Sequence, residues 1–244
     1  MKVALFVPCY VDQFYPQVAI ATLEVLEKQG VTVVYPTRQT CCGQPMANSG
    51  FEHLATGCNE NFVESFADCD YIVSPSGSCV LHIKDHLHVE GAEEKATSIR
   101  QRTYELVEFL TDVLQVKTLT SRFPHRVGLH QSCHGQRGLK LSQMSELVAP
   151  PFSKTGQLLG MVEGLELVQL NRADECCGFG GTFCVAEEAV SVKMGKDRVT
   201  DNQAHGATFI TGNDMSCLMH LDGILRRQNS PTKIVHVAEI LNAW

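Results

Sequence analysis

Short apolar runs rich in β-branched residues alternate along the chain with longer segments whose apolar positions recur at helical spacing. The runs fall at 3–7, 31–35, 70–74, 126–130, 166–170, 207–211 and 234–237. Between them, Val18, Ala21, Val25 and Leu26 keep a helical period, as do Ile99, Leu106, Phe109, Leu110 and Val113, and later Leu218, Leu221 and Leu225. Gly30 stands where a helix must stop before the second run. Alternation of this kind predicts an α/β fold of βαβ units, with small, mainly parallel sheets flanked by helices. No run approaches the roughly 18 apolar residues that a membrane span needs. The first run is too short for a signal peptide and reads as a buried strand, so a cytoplasmic location is expected.

A length of 244 residues is enough to bury one large core or two small ones. Hydrophobic residues make up 44% and charged residues 19%, the balance of a globular protein rather than a disordered one. A net charge of −7 without any basic run argues against nucleic acid and anionic membranes as partners. The 11 cysteines are the anomaly. An odd number without an export signal does not suit a disulfide framework.

Their positions reveal an internal duplication. Cys41-Cys42-Gly43 and Cys176-Cys177-Gly178 repeat one tripeptide 135 residues apart. Each is preceded by a lone cysteine just past an apolar run (Cys9, Cys133) and followed by another (Cys79, Cys217). His82 and His220 each lie three residues beyond the last of these. Two pseudo-symmetric halves are therefore expected, 1–120 and 121–244, joined through the polar stretch 117–125. Cys9, Cys79, Cys133 and Cys217 then fall beyond the carboxyl ends of strands, where open α/β sheets bind ligands.

Four thiols per half are soft ligands suited to zinc or to an iron–sulfur cluster. The side chains of adjacent cysteines are expected to diverge, which disfavours one zinc tetrahedron, whereas a cluster offers each its own iron. Spacing alone leaves the metal open. Strand-to-helix turns at the downstream cysteines would favour thiolate, and Gly178, Gly180 and Gly181 would admit backbone amides close to sulfur. The same glycines lack the Lys-Ser/Thr of a P-loop, so nucleotide binding is not expected. Cys58, Cys69 and Cys184 have no counterparts and read as packing residues. His82 and His220 either hydrogen-bond toward the metal group or pack against it. His130, His134 and Arg137 flank Cys133 without equivalents near Cys9, and a surface position is expected for them ahead of a proton relay or carboxylate site.

The doubled pattern of cysteine, Cys-Cys-Gly and cysteine resembles the cysteine-rich domain found in heterodisulfide reductase and in the glycolate oxidase iron–sulfur subunit. Over its whole length, from Val3–Cys9 through Glu175-Cys176-Cys177-Gly178-Phe179-Gly180-Gly181-Thr182-Phe183, the chain resembles the LutA/YkgE family. The resemblance implies a cytoplasmic electron-transfer subunit of a complex oxidising L-lactate to pyruvate without NAD. It would work with LutB-like and LutC-like subunits and be inactive alone. It also implies two 4Fe–4S clusters, on Cys9, Cys41, Cys42 and Cys79 and on Cys133, Cys176, Cys177 and Cys217. The heterodisulfide reductase pattern ends in C-x-x-C, but the first of those positions is Ser76 or Asp214 here. Four-cysteine clusters are accordingly expected rather than open five-cysteine ones. A heterodisulfide or thiol–disulfide reductase component and a zinc-stabilised scaffold are the alternatives, and zinc in one half is compatible with a cluster in the other. No catalytic residue is assigned.

Overall fold

Each half of the chain builds a sheet from four short strands, all parallel. The computed structural model describes residues 1–244, which divide into the units Met1–Leu114 and Gln115–Trp244. The first unit runs β1 (Lys2–Leu5), α1 (Cys9–Phe14), α2 (Pro16–Lys28), β2 (Thr32–Val34), α3 (Gln44–Asn48), α4 (Thr56–Phe66), β3 (Tyr71–Ser74), α5 (Gly77–His86), α6 (Glu93–Gln101), β4 (Thr103–Glu105) and α7 (Leu106–Glu108). The second begins with β5 (Arg126–His130) and a wide helical turn at His134–Gly138, then α8 (Lys154–Leu159), β6 (Glu166–Leu167), α9 (Phe183–Ala186) and α10 (Glu188–Ala204). It ends with β7 (Phe209–Gly212), α11 (Met215–Arg227), β8 (Lys233–His236) and α12 (Val237–Asn242).

The strand orders are β2-β1-β3-β4 and β6-β5-β7-β8, the same topology twice. Register makes the equivalence residue by residue. Val3 pairs with Tyr71 and Val127 pairs with Phe209. Counting from these pairs, Cys9 matches Cys133, Cys79 matches Cys217, and Phe6 matches His130. In both halves the last strand passes straight into a helix through a reciprocal capping box, Glu105 with Glu108 and His236 with Glu239.

All seven expected strands are present, together with an eighth, β4, inside the stretch read as one helix from Ile99 to Val113. Ile99, Leu106, Phe109 and Leu110 are all buried, so the apolar spacing was real. It arises from α6, a three-residue strand, α7 and a wide helical turn at Phe109–Val113 in succession, and so short a strand leaves no alternation to recognise. The buried residues of α2 and α11 are those their helical period marks: Val18, Ala21, Val25 and Leu26, then Leu218, Leu221 and Leu225. No helix is long and apolar enough to cross a membrane.

The floor of the first sheet is aromatic. The ring of Phe6 meets Phe62 and Phe66 edge-on, with centroids 5.0 and 5.7 Å away, and this core continues to Cys42 and Cys79. Phe66→Ala should lower the stability of the first half by about 3–5 kcal/mol, read as a fall in denaturant midpoint.

Candidate metal centre

In each sheet the order reverses beside the first strand, between β1 and β3 and between β5 and β7. A crevice opens at such a point beyond the carboxyl ends of the strands. Cys9 lies just past β1 at the start of α1, and Cys79 lies in the first turn of α5 just past β3. Cys41 and Cys42 arrive on the loop between β2 and α3. Cys133, Cys176, Cys177 and Cys217 hold the corresponding places after β5, β6 and β7.

The sulfurs converge. Cys9 Sγ is 3.9 Å from Cys41 Sγ and donates to it, and Cys42 donates to Cys41 and Cys79. The second half has the same chain of contacts through Cys133, Cys176, Cys177 and Cys217. The adjacent cysteines therefore do not diverge as expected, and the glycine that follows them closes a tight turn. Gly43 and Gly178 have φ of 89° and 87°, the left-handed region that side-chain-bearing residues avoid. That turn aims each glycine's own N–H back at the sulfur two residues earlier, Cys41 or Cys176, at 3.4 Å. A Cβ on Gly43 would also lie 2.9 Å from that of Ala55, and one on Gly178 would lie 2.6 Å from the carbonyl oxygen of Ser191.

These hydrogen bonds set the order of ionisation. The Cys41 thiol receives bonds from Cys42 and Cys9 and from the Gly43 amide, and is held down to about 2. Cys176, bonded by Cys133, Cys177 and the Gly178 amide, is likewise held down to about 2. Their partners move the other way. Donation to Cys41 pushes Cys9 up, and donation to Cys41 and Cys79, with burial, pushes Cys42 up. Cys133 and Cys177 follow suit, through donation to Cys176.

One side chain in each half ties the loop to the central strand, and neither stands out in the sequence. In the first half the Gln39 amide donates to the carbonyls of Leu5 and Pro36 and accepts from the Val7 N–H at 2.7 Å. In the second half Arg198, on α10 and fully buried, does the same work. Its guanidinium donates to Leu129 at 2.8 Å and to Arg172 and Ala173 on the loop leading to Cys176. Arg198 escapes detection because the buried face of α10, with Ser191, Gly195, Arg198 and Asn202, is largely polar.

Ser76 and Asp214, where the related pattern has a cysteine, are the N-cap residues of α5 and α11. The Ser76 hydroxyl accepts from the Cys79 N–H at 3.3 Å. His82 is buried with its ring against Gly43 and stacked on His86, and His220 faces the backbone of Ser191 and Cys177. Both therefore back the Cys-Cys-Gly turn. Cys69 belongs to the first core, Cys184 donates to the Gly181 carbonyl, and Cys58 packs half-buried beside Gly43. Arg137 is exposed and paired with Glu146, and His134 is half-buried. His130 departs from the surface position expected for it. It is 1% exposed, because the last residue of β5 lies in the buried position that Phe6 fills in the first half.

The donor set, four thiols with an amide aimed at the central one, fits a thiolate-bound metal group in each half. The cysteine-rich domain family matches the chain twice, at residues 3–84 and 127–222. This is a two-copy cysteine-rich domain protein. At the level of the whole chain, lactate utilization protein A of an Exiguobacterium species is 41% identical, over 99% of this chain and 97% of that one. Its counterpart from a Geobacillus species is 39% identical over the full length of both. The chain belongs to the lactate utilization protein A family. Among solved structures, a hypothetical protein from Helicobacter pylori shares the fold with a TM-score of 0.57 and 13% identity, over 98% of this chain and 48% of that one.

Gly178→Ala should destabilise the second half by about 1–3 kcal/mol from backbone strain alone and reduce metal loading there, measured by thermal melting and metal analysis. Metal loading should also depend on pH. The ligands must be thiolates, and Cys9, Cys42, Cys133 and Cys177 hold their protons above the usual thiol range. Uptake then releases protons and strengthens as pH rises across neutrality, which competition with a chromophoric chelator under nitrogen measures.

Proposed function

We propose that each half holds one 4Fe–4S cluster, through Cys9, Cys41, Cys42 and Cys79 and through Cys133, Cys176, Cys177 and Cys217. In this reading the chain is the electron-transfer subunit of a cytoplasmic oxidoreductase complex that converts L-lactate to pyruvate with LutB-like and LutC-like subunits. The observation that carries it is the doubled convergence of four thiols at a sheet switch point. The names of the full-length relatives supply the substrate.

When bound, such a cluster supplies one-electron exchange. The chain's own residues hold it and adjust its surroundings. Gly43 and Gly178 donate N–H bonds toward ligand sulfurs, and hydrogen bonds of this kind raise a cluster's potential. Burial of Cys42 and Cys177 keeps water from one side of each site. Removing two electrons from a 2-hydroxy acid also takes a base for the hydroxyl proton and a two-electron acceptor. That work is assigned to the partner subunits.

Zinc is the second reading, and one distance favours it. Metal–sulfur bonds of about 2.3 Å give a tetrahedral edge of about 3.8 Å, close to the 3.9 Å between Cys9 and Cys41. Protein made without oxygen should carry about 8 iron atoms per chain with matching acid-labile sulfide. Replacing Cys41 and Cys42 with Ala should remove about half of both. Stoichiometric zinc without sulfide would overturn the cluster assignment. With partner subunits present, L-lactate should reduce the clusters, and with the isolated chain it should not.

A further inference from the structure

The two halves share a topology and a ligand pattern, but the floors of their sites differ in chemistry. In the first half the residue after β1 is Phe6, fully buried in an aromatic cluster. In the second half the equivalent residue is His130, equally buried. A phenylalanine there needs only apolar neighbours. An imidazole brings two polar nitrogens, and leaving both without partners in a buried site costs free energy.

Neither ring nitrogen of His130 has a hydrogen-bond partner within the chain. A ring nitrogen of His130 and the sulfurs of Cys177 and Cys217 all lie within 4.8 Å of one another. A neutral ring keeps one lone pair free for a metal, as ligating histidines do. The first half offers no such donor, because Phe6 occupies the place.

We propose that His130 is a nitrogen donor to the metal group of the second half, bound alongside Cys177 and Cys217, so that the two centres of the chain differ in ligation. The proposal rests on the reading that the second half holds a metal group, and there the imidazole takes one of the two positions assigned above to Cys133 and Cys176, since neither a 4Fe–4S cluster nor a tetrahedral zinc has a fifth place. A neutral imidazole brings less negative charge than a thiolate, and histidine ligation raises a cluster's potential. The buried Arg198 cation, whose place beside the first strand is taken by the neutral Gln39, acts in the same direction. The second centre is then the better electron acceptor of the two.

The test uses the full chain made without oxygen, with its histidines labelled with nitrogen-15. Iron and sulfide content decides the cluster reading by itself. With clusters present, pulsed electron paramagnetic resonance should show a metal-bound histidine nitrogen that follows the isotope label. It should persist when Cys41 and Cys42 are replaced with Ala and vanish in His130→Phe. The phenylalanine copies the first half, and His130→Gln serves if that variant does not fold. No histidine nitrogen, or one that survives the change at His130, would overturn the proposal. If zinc is bound instead, the cluster reading fails but the inference is still decided by zinc X-ray absorption of the Cys41→Ala, Cys42→Ala protein. One nitrogen lost in His130→Phe supports it, and an all-sulfur shell in the protein with His130 intact overturns it.

Discussion

A thiol packed among other thiols keeps its proton unless some fixed dipole takes up the charge of the first one to ionise. In each half the donors are first the neighbouring thiols, Cys42 and Cys9 for Cys41 and Cys133 and Cys177 for Cys176, and then the amide of a left-handed glycine, 3.4 Å from the sulfur. At the same turn the sulfurs of two adjacent residues come to one place. Other features serve this point. The loop after the second strand must reach the switch point, the first turn of α5 or α11 must deliver the last thiol, and Ala55, just before α4, or α10 must pack against the turn closely enough that only glycine fits. A single methyl group at Gly178 would meet both Ser191 and Met194.

The two copies solve the next problem, fastening that loop to the central strand, with different chemistry. Gln39 does it with one neutral amide. Arg198 does it with a guanidinium taken wholly out of water, a costly act unless its donors are met. Three carbonyls and the nearby Asp201 carboxylate meet most of them. The polar character spreads around it: His130, Asn202, Thr211, Asn213 and Asp214 are all buried in the second half, where the first has the Phe6 cluster. Duplication preserved the frame of thiols while the support beneath it diverged.

Fold and function separate here in the usual way. The likeness to a solved structure at 13% identity speaks for the fold alone. Membership of the lactate utilization protein A family rests on identity over essentially the whole chain and on two copies of the cysteine-rich domain. What the chain can do chemically is decided at the carboxyl edges of its two sheets, by the protonation and charge of eight sulfurs and the groups behind them.

The duplication, the seven strands and the eight matched cysteines were legible in the sequence, because each is a local pattern: an apolar run, a repeated tripeptide, a cysteine at a fixed distance beyond a run. β4 was too short to leave a pattern. The other features depended on contacts between distant residues. Arg198 bonds to Leu129, 69 positions away, and Gln39 bonds to Leu5, 34 away, so neither role is written in its own neighbourhood. The burial of His130 was within reach only by aligning β1 on β5, which sets it on Phe6. Even that alignment does not show Cys177 and Cys217 beside the ring. Sequence determines which residues can be ligands; the closing of strands and helices around them decides which polar atoms lose their water, and only those must find a partner inside.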